Sequence, residues 1–307
     1  MNPFVFDKFI FNPTIEVTPH ITISPFDLKQ IPVSHDEGFI AVAEKYLNQR
    51  FNNYTICLKA RHSIKSVLNS LNLKKDDEVA ILTTTNNRYI SSCVTNAIEE
   101  VCKWDRVINE NTKVILINHE FGYPYEDAIS LRKYGLPIIE DCVHSFTHSD
   151  AIGNVGDYVI YSLSKNLPIQ IGSIIKNNTE NPIESEIDGD CKEFILRSLA
   201  KILPDLDFIE SKRKENLDYL ELRFKEFGCF PLLKRPQNEV PNVFMFTLPP
   251  DICLQKLKQF MWNHGVECSV FYGMNAFFIP CHYNLDTIEL DYMIDLVRYF
   301  IYNTNDF

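Results

Sequence analysis

The chain has 307 residues, of which 45% are hydrophobic and 23% are charged, and this composition is typical of a folded globular protein and excludes a disordered one. The net charge is −11 with the acidic residues scattered, so the basic surface that nucleic acids and anionic membranes attract is absent, and we expect neither as a partner. No apolar run is long enough for a transmembrane helix, and the start lacks a signal-peptide pattern, which together predict a cytoplasmic protein.

The first two thirds of the chain predict helices that alternate with strands. Apolar residues at helical spacing predict a helix over 64–71, and a polar break then separates it from a buried strand at 79–82. The segments that follow predict a helix at 91–103, a strand at 113–118, a helix at 125–134 that ends at Gly135, and strands at 136–141, 158–162 and 171–175. This alternation favours an α/β fold with a mostly parallel sheet between two helical layers.

The last third of the chain has a different pattern. A polar stretch at 176–190 predicts an exposed loop. It is followed by a helix at 208–226, a strand at 243–246, a helix at 252–264, a strand at 268–271 and a helix at 287–302. We therefore predict a large three-layer α/β/α domain with an N-terminal arm at 1–205, and a small α+β domain at 206–307.

The cysteines and glycines exclude some sites. None of the nine cysteines lies in a C-x-x-C pair, so we expect reduced thiols and no metal. Glycine occurs only 10 times, and neither G-x-G-x-x-G nor a Walker A loop is present, so a Rossmann or P-loop nucleotide site has no support.

The segment from 118 to 175 carries the chemistry. Asp141 and Ser162 end two predicted strands, and Lys165 follows Ser162 by three residues. Ligands of open α/β sheets bind at the carboxyl ends of the strands, so these side chains belong at one rim. A lysine that forms a Schiff base, a carboxylate that keeps a pyridine nitrogen protonated, and hydroxyls that bind a phosphate are what pyridoxal-phosphate chemistry needs. Lys165, Asp141 and Ser162 with Ser164 supply these three parts.

In its order and spacing of residues, the segment resembles the DegT/DnrJ-type sugar aminotransferases, which are fold-type I pyridoxal-phosphate enzymes. The residues that match the pattern of that family are His119, Gly122, Pro124, Leu136, Pro137, Ile139, Glu140, Asp141, Gly156, Asp157, Lys165, Asn166 and Leu167. Weaker matches at 71–79, 96–98 and 278–292 extend the resemblance to roughly residues 55–300.

The resemblance implies roles for single residues. Lys165 would be the Schiff-base lysine and proton shuttle, and Asp141 would hold the proton of the pyridinium. Ser162, with Ser164, would bind the phosphate of pyridoxal 5'-phosphate, and His144 stands where the family has a glutamine near the cofactor ring. The family also implies a homodimer, a keto sugar attached to a nucleotide as substrate, and glutamate as amino donor.

The chain departs from the family at several positions. The phosphate-binding S-G-T segment aligns with Lys59-Ala60-Arg61, so Ala60 and Arg61 become the expected phosphate ligands. Tyr89 is a shifted candidate for the aromatic residue that stacks on the ring. The strand expected between 98 and 113 is largely missing. Because the net charge is negative, an anionic sugar nucleotide requires local cations, for which Arg61 and Arg88 are candidates.

Other interpretations of the same residues stay open. Lys165 can be a surface lysine, Asp141 a helix N-cap, and His119 and His144 packed histidines. Sugar dehydration would use the same cofactor, but the dehydratases of this family have histidine in place of the lysine, so Lys165 argues against it. A degenerate member that binds the cofactor or a sugar nucleotide without transamination is the remaining alternative.

Overall fold

A computed structural model of the protein describes residues 21–26, 38–147, 152–235 and 240–303. The predicted N-terminal arm thus lies mostly outside the described residues. The helices are α1 (Gly38–Phe51), α2 (Ala60–Ser70), α3 (Ser92–Glu99), α4 (Leu163–Asn166), α5 (Gly189–Ile202), α6 (Leu206–Lys225), α7 (Leu254–Asn263) and α8 (Thr287–Tyr302). The strands are β1 (Tyr54–Cys57), β2 (Glu78–Thr83), β3 (Lys103–Asp105), β4 (Thr112–Asn118), β5 (Ile138–Asp141), β6 (Tyr158–Ser162), β7 (Ser173–Asn177), β8 (Phe230–Pro231), β9 (Val243–Thr247), β10 (Ser269–Val270) and β11 (Ala276–Pro280).

The chain divides into two compact units. The larger comprises Pro25–Phe208 with Arg235–Pro241, and the smaller comprises Met1–Ser24, Ile209–Lys234 and Asn242–Phe307. The division into domains at 1–205 and 206–307 stays a prediction. Among the described helices, none combines the length and the apolar character that a bilayer crossing demands.

A seven-stranded sheet with the order β1-β7-β6-β5-β4-β2-β3 forms the centre of the larger unit. Strand β7 runs antiparallel to both of its neighbours, whereas the other adjacent pairs are parallel. The carboxyl ends of β1, β2, β4, β5 and β6 therefore lie at one edge. This confirms the predicted α/β fold with a mostly parallel sheet.

Alternate residues of the central strands pack on opposite faces of this sheet, as the two-residue period of a strand requires. Val114 and Leu116 belong to the core cluster with residues of α2 and α3. Ile115 and Ile117 belong to a cluster on the other face, together with Leu131. All four β4 side chains are fully buried, and burial of each stabilises the fold by about 1.5–3 kcal/mol.

The smaller unit contains an antiparallel sheet with the order β10-β11-β9-β8, as an α+β arrangement requires. Helix α8 begins at the residue predicted because Asp286 and Glu289 form a capping box there. Residue Ile21 joins this unit by a parallel bridge to Val266.

Two predicted helices of the larger unit are wrong in extent. The helix predicted at 91–103 ends at Glu99, and β3 follows and pairs with β2. The segment expected to be largely missing therefore contains a strand, which has only three residues. The helix predicted at 125–134 is a 3₁₀ helix over Ala128–Tyr134, because Asp127 has a left-handed backbone. Gly135 ends it in the left-handed conformation, as predicted.

Candidate active site

The carboxyl edge of the larger sheet collects the residues that the sequence singled out. Asp141 is the last residue of β5, and Ser162 is the last residue of the adjacent β6. The Cys142 N–H donates to the Ile160 carbonyl oxygen at 2.8 Å, which fixes the two strand ends side by side. Helix α4, which contains Lys165, follows Ser162 directly.

Asp141 is a buried carboxylate whose described hydrogen-bond partners are neutral. It is only 2% exposed. The Asn118 side-chain amide donates to its Oδ2 at 3.0 Å, and the Val143 N–H donates to its Oδ1 at 3.3 Å. Burial raises the pKa of Asp141 to about 6 against the opposing effect of these donors. No ion pair of Asp141 occurs among the described residues, so a bound cation would stabilise its charge.

Glu140 precedes Asp141 and points to the opposite face of the sheet. It lies 3.1 Å from the Nε2 atom of His119 and accepts the N–H groups of Gly153, Val155 and Gly156. Burial raises the pKa of Glu140, but the His119 contact and these N–H groups outweigh it, so the pKa lies below its ordinary value. Glu140 thus anchors the 153–156 loop.

His119, Glu140 and Cys142 place potential metal ligand atoms within 4.8 Å of one another. However, the Nδ1 atom of His119 accepts the Tyr125 N–H at 3.0 Å. A neutral imidazole that accepts at Nδ1 carries its proton on Nε2, where it donates to Glu140. Both ring nitrogens are therefore occupied, and the group is structural in this arrangement.

The Ser162–Asn166 turn is joined to the Asp141 strand end by Asn166. The Asn166 side-chain amide donates to the Val143 carbonyl oxygen at 2.9 Å and to the Ser162 carbonyl oxygen at 2.8 Å. The hydroxyl oxygens of Ser162 and Ser164 lie 3.2 Å apart. Two predicted phosphate ligands are therefore adjacent, and Lys165 lies on the exposed side of the same turn.

Gly172 connects this turn to the start of α2. Its carbonyl oxygen accepts the Leu163 N–H at 2.9 Å, and its own N–H donates to the Leu58 carbonyl oxygen at 2.8 Å. Its φ is +117°, and a Cβ atom there would lie 2.8 Å from Leu163 Cδ1. A glycine is therefore required, and it holds the lysine turn near Ala60 and Arg61.

Ala60 and Arg61 form the first turn of α2, and their N–H groups are among those that a helix cannot satisfy itself. Such N–H groups at a helix start are suited to a phosphate. Arg61 also lines a cavity of about 970 Å³ between α2, α3 and residues 182–188. None of Asp141, His144, Ser162, Ser164 and Lys165 lines that cavity, and the role of Arg61 as a phosphate ligand stays a prediction.

His144 and Tyr89 are placed differently. The His144 ring is tilted by 43° against the Phe121 ring, at 5.1 Å between centroids. Gly122 lies against the His144 backbone with a φ of +93°, and a Cβ atom there would lie 3.3 Å from the His144 carbonyl oxygen. Tyr89 lies in the loop after β2 and is 55% exposed. Its role as the aromatic residue above the ring stays a prediction.

No protein-family model and no curated protein matches the chain. The structure resembles the aminotransferase TlmJ from Streptoalloteichus hindustanus, with a TM-score of 0.70, 14% identity, and coverage of 87% of this chain and 92% of TlmJ. A DegT DnrJ EryC1 StrS aminotransferase from Brucella abortus has a TM-score of 0.66, 12% identity, and coverage of 85% and 90%.

The chain shares the fold of the DegT/DnrJ-type aminotransferases. E. coli GDP-4-keto-6-deoxy-D-mannose-3-dehydratase, solved with bound hydrated pyridoxal phosphate, also matches with a TM-score of 0.64, 15% identity, and coverage of 86% and 92%. Aminotransferases and a dehydratase therefore share one fold, and the reaction depends on the side chains at the site.

The interaction between Asn118 and Asp141 is a feature that the sequence analysis missed. A usable signal exists, because Asn118 ends a predicted buried strand with a polar side chain, as Asp141 and Ser162 do. The sequence does not show that β4 and β5 are neighbouring strands and that Asn118 lies opposite Asp141.

Proposed function

We propose that the protein is a cytoplasmic pyridoxal-phosphate-dependent aminotransferase. It transfers an amino group, with glutamate as donor, to a keto sugar attached to a nucleotide, in surface polysaccharide or deoxyamino-sugar biosynthesis. The observation that carries the proposal is Asp141, a buried carboxylate with neutral partners on the strand beside the one that leads to Lys165. A protein interior retains such a charge at a cost, and a pyridinium ion offsets that cost.

The residues present fit the cofactor. When bound, pyridoxal phosphate supplies an electron-accepting ring that makes the carbon next to an amino group acidic. Asp141 accepts a hydrogen bond from the protonated ring nitrogen and keeps the proton there. The hydroxyls of Ser162 and Ser164 and the N–H groups at the start of α2 bind the phosphate.

Lys165 has two tasks in this proposal. Its Nζ atom would hold the cofactor by a covalent bond in the resting enzyme, and as a free amine it would carry a proton during the transfer. His144, held against Phe121, orients the cofactor ring. Arg61 and Arg88 are the candidate cations for the anionic nucleotide portion of the substrate.

Lys165 also favours transamination over sugar dehydration. The resemblance implies that dehydratases of this kind have histidine where this chain has Lys165, and the structural match to such a dehydratase lies in the fold. The alternative of a binding protein without turnover rests on the altered phosphate segment Lys59-Ala60-Arg61, and the half-reaction with glutamate separates the two.

The test uses the purified protein with pyridoxal phosphate. We expect the protein to show an absorbance band of lysine-bound cofactor, and we expect glutamate to convert the bound cofactor to pyridoxamine phosphate with release of 2-oxoglutarate. Lys165→Ala removes the band, whereas the control Lys201→Ala, at an exposed position of α5, retains it. An unchanged band in Lys165→Ala refutes the assignment, and a bound cofactor that glutamate and other amino donors leave unchanged supports the binding protein.

We also propose a homodimer. Lys165 is exposed in the single chain, and a second subunit that covers it would exclude water from the reacting groups. A two-fold dimer is the commonest closed assembly. Sedimentation equilibrium should give twice the 35.7 kDa mass of the chain, and a fully active monomer would contradict this part of the proposal.

A further inference from the structure

Among the described residues, Asn118 is the one whose side chain donates a hydrogen bond to the Asp141 carboxylate. Its backbone lies between two neighbouring strands. It pairs with Thr83 of β2 and with Asp141 of β5. The Thr84 N–H also donates to its carbonyl oxygen at 3.3 Å. The Asn118 side chain therefore projects from a fixed point at the carboxyl edge of the sheet.

Each oxygen of the Asp141 carboxylate accepts one hydrogen bond, one from a donor close in sequence and one from a distant donor. Val143 is two residues along the chain, so its N–H follows any movement of the Asp141 turn. Asn118 is 23 residues away, and its amide donates to the other oxygen at 3.0 Å. Among the contacts of this carboxylate with described residues, only the one with Asn118 ties it to a neighbouring strand and thus limits rotation of its plane.

We propose that Asn118 is a positioning residue that fixes the direction in which Asp141 presents its carboxylate to a pyridinium nitrogen. This inference rests on the proposed function, because it assigns Asp141 to the cofactor ring. The bond is charge-assisted and partly buried, so its loss costs more than the loss of a fully exposed hydrogen bond. The Asn118 amide also opposes the rise in the pKa of Asp141 that burial causes, which favours the charged carboxylate.

The test compares two ligands in equilibrium binding, with no turnover. Pyridoxal phosphate has the ring nitrogen, and its 1-deaza analogue has a C–H group there. Asn118→Leu keeps the branched shape but removes the amide. We expect it to weaken pyridoxal-phosphate binding about tenfold and to leave binding of the analogue within about twofold. Asn109→Leu is the matched control, since Asn109 donates to the exposed Glu78 carboxylate, and it should change neither affinity.

The outcomes separate positioning from general damage. Equal losses for both ligands in Asn118→Leu, or no loss for either, would overturn the inference. A wild-type protein that binds neither ligand would overturn it together with the proposed function.

A double-mutant cycle in the cofactor-free protein separates these two failures. Asn118→Leu should raise the unfolding constant about tenfold more when residue 141 is Asp than when it is Leu, which cannot bond to Asn118. If the cycle shows this coupling but no ligand binds, the contact is real and the proposed function is wrong. If the cycle shows no coupling, the positioning role of Asn118 is wrong even where the cofactor binds.

Discussion

The buried charge of Asp141 destabilises the cofactor-free protein at neutral pH. Burial raises the pKa of this carboxyl from its ordinary value of 3.8 to about 6. Between these values the native state binds more protons at Asp141 than the unfolded state does, so the stability falls as the pH rises through this range. Since each pKa unit corresponds to about 1.4 kcal/mol, the penalty is about 3 kcal/mol at pH 7.5 and about half of that at pH 5.

Asp141→Asn removes this penalty and keeps the hydrogen bonds. The asparagine oxygen accepts the Val143 N–H, and Asn118 reverses its amide to accept from the new NH₂ group. We therefore expect the cofactor-free variant to be more stable than wild type by about 3 kcal/mol at pH 7.5, by about half as much at pH 5, and by almost nothing at pH 3.5. The same substitution should abolish the half-reaction with glutamate.

The two tryptophans of the chain allow a local measurement. Trp104 lies in the larger unit with Asp141, whereas Trp262 lies in the smaller one. In a Trp262→Phe background, urea unfolding followed by Trp104 fluorescence reports the unit that contains the substitution. A stability gain that is the same at every pH, or a loss at pH 7.5, would refute the reasoning, because only the ionisation of Asp141 makes the difference grow with pH.

Three further predictions concern Asn166, Gly172 and His282. Asn166→Ala deletes the bond from Asn166 to the Val143 carbonyl oxygen, which joins the Asp141 and Lys165 segments, and the bond to the Ser162 carbonyl oxygen within the lysine turn. The dissociation constant of pyridoxal phosphate should therefore rise about tenfold; an unchanged constant shows that these bonds do not position the lysine. Gly172→Ala should lower the unfolding free energy by about 1–3 kcal/mol in urea titrations, because of its positive φ and the Leu163 contact; a neutral effect argues against strain. Burial lowers the pKa of His282 to about 4, so the smaller unit should lose about 3 kcal/mol of stability as the pH falls from 6.5 to 4. Trp262 fluorescence in a Trp104→Phe background measures this, and His282→Gln should flatten the dependence.

Several strands could be predicted because each is a short apolar run buried on both faces. This holds for β2, β4, β5 and β6, and β6 has the predicted bounds. Helix α8 was equally clear, since its cap is encoded within four residues. By contrast, α1, β1, α5 and β11 were not predicted. Strand β1 has four residues, and its place beside β7 depends on a partner more than a hundred residues away.

The site shows the same division. Asp141, Ser162 and Lys165 could be found because residues that follow parallel strands gather at one edge. The bond from Asn118 to Asp141 and the separate cavity lined by Arg61 could not, because they depend on which strands are neighbours and where each helix face points.

The sequence by itself determined the buried runs, the caps and the order of polar residues after the strands, because these are properties of neighbouring residues along the chain. Only the tertiary structure decided that β7 runs against its neighbours, that Asn118 faces Asp141, and that Gly172 joins the lysine turn to α2. The reason is that backbone hydrogen bonds carry little sequence information. Register and direction are set when the whole sheet packs, and a shift of one residue would turn each side chain to the other face.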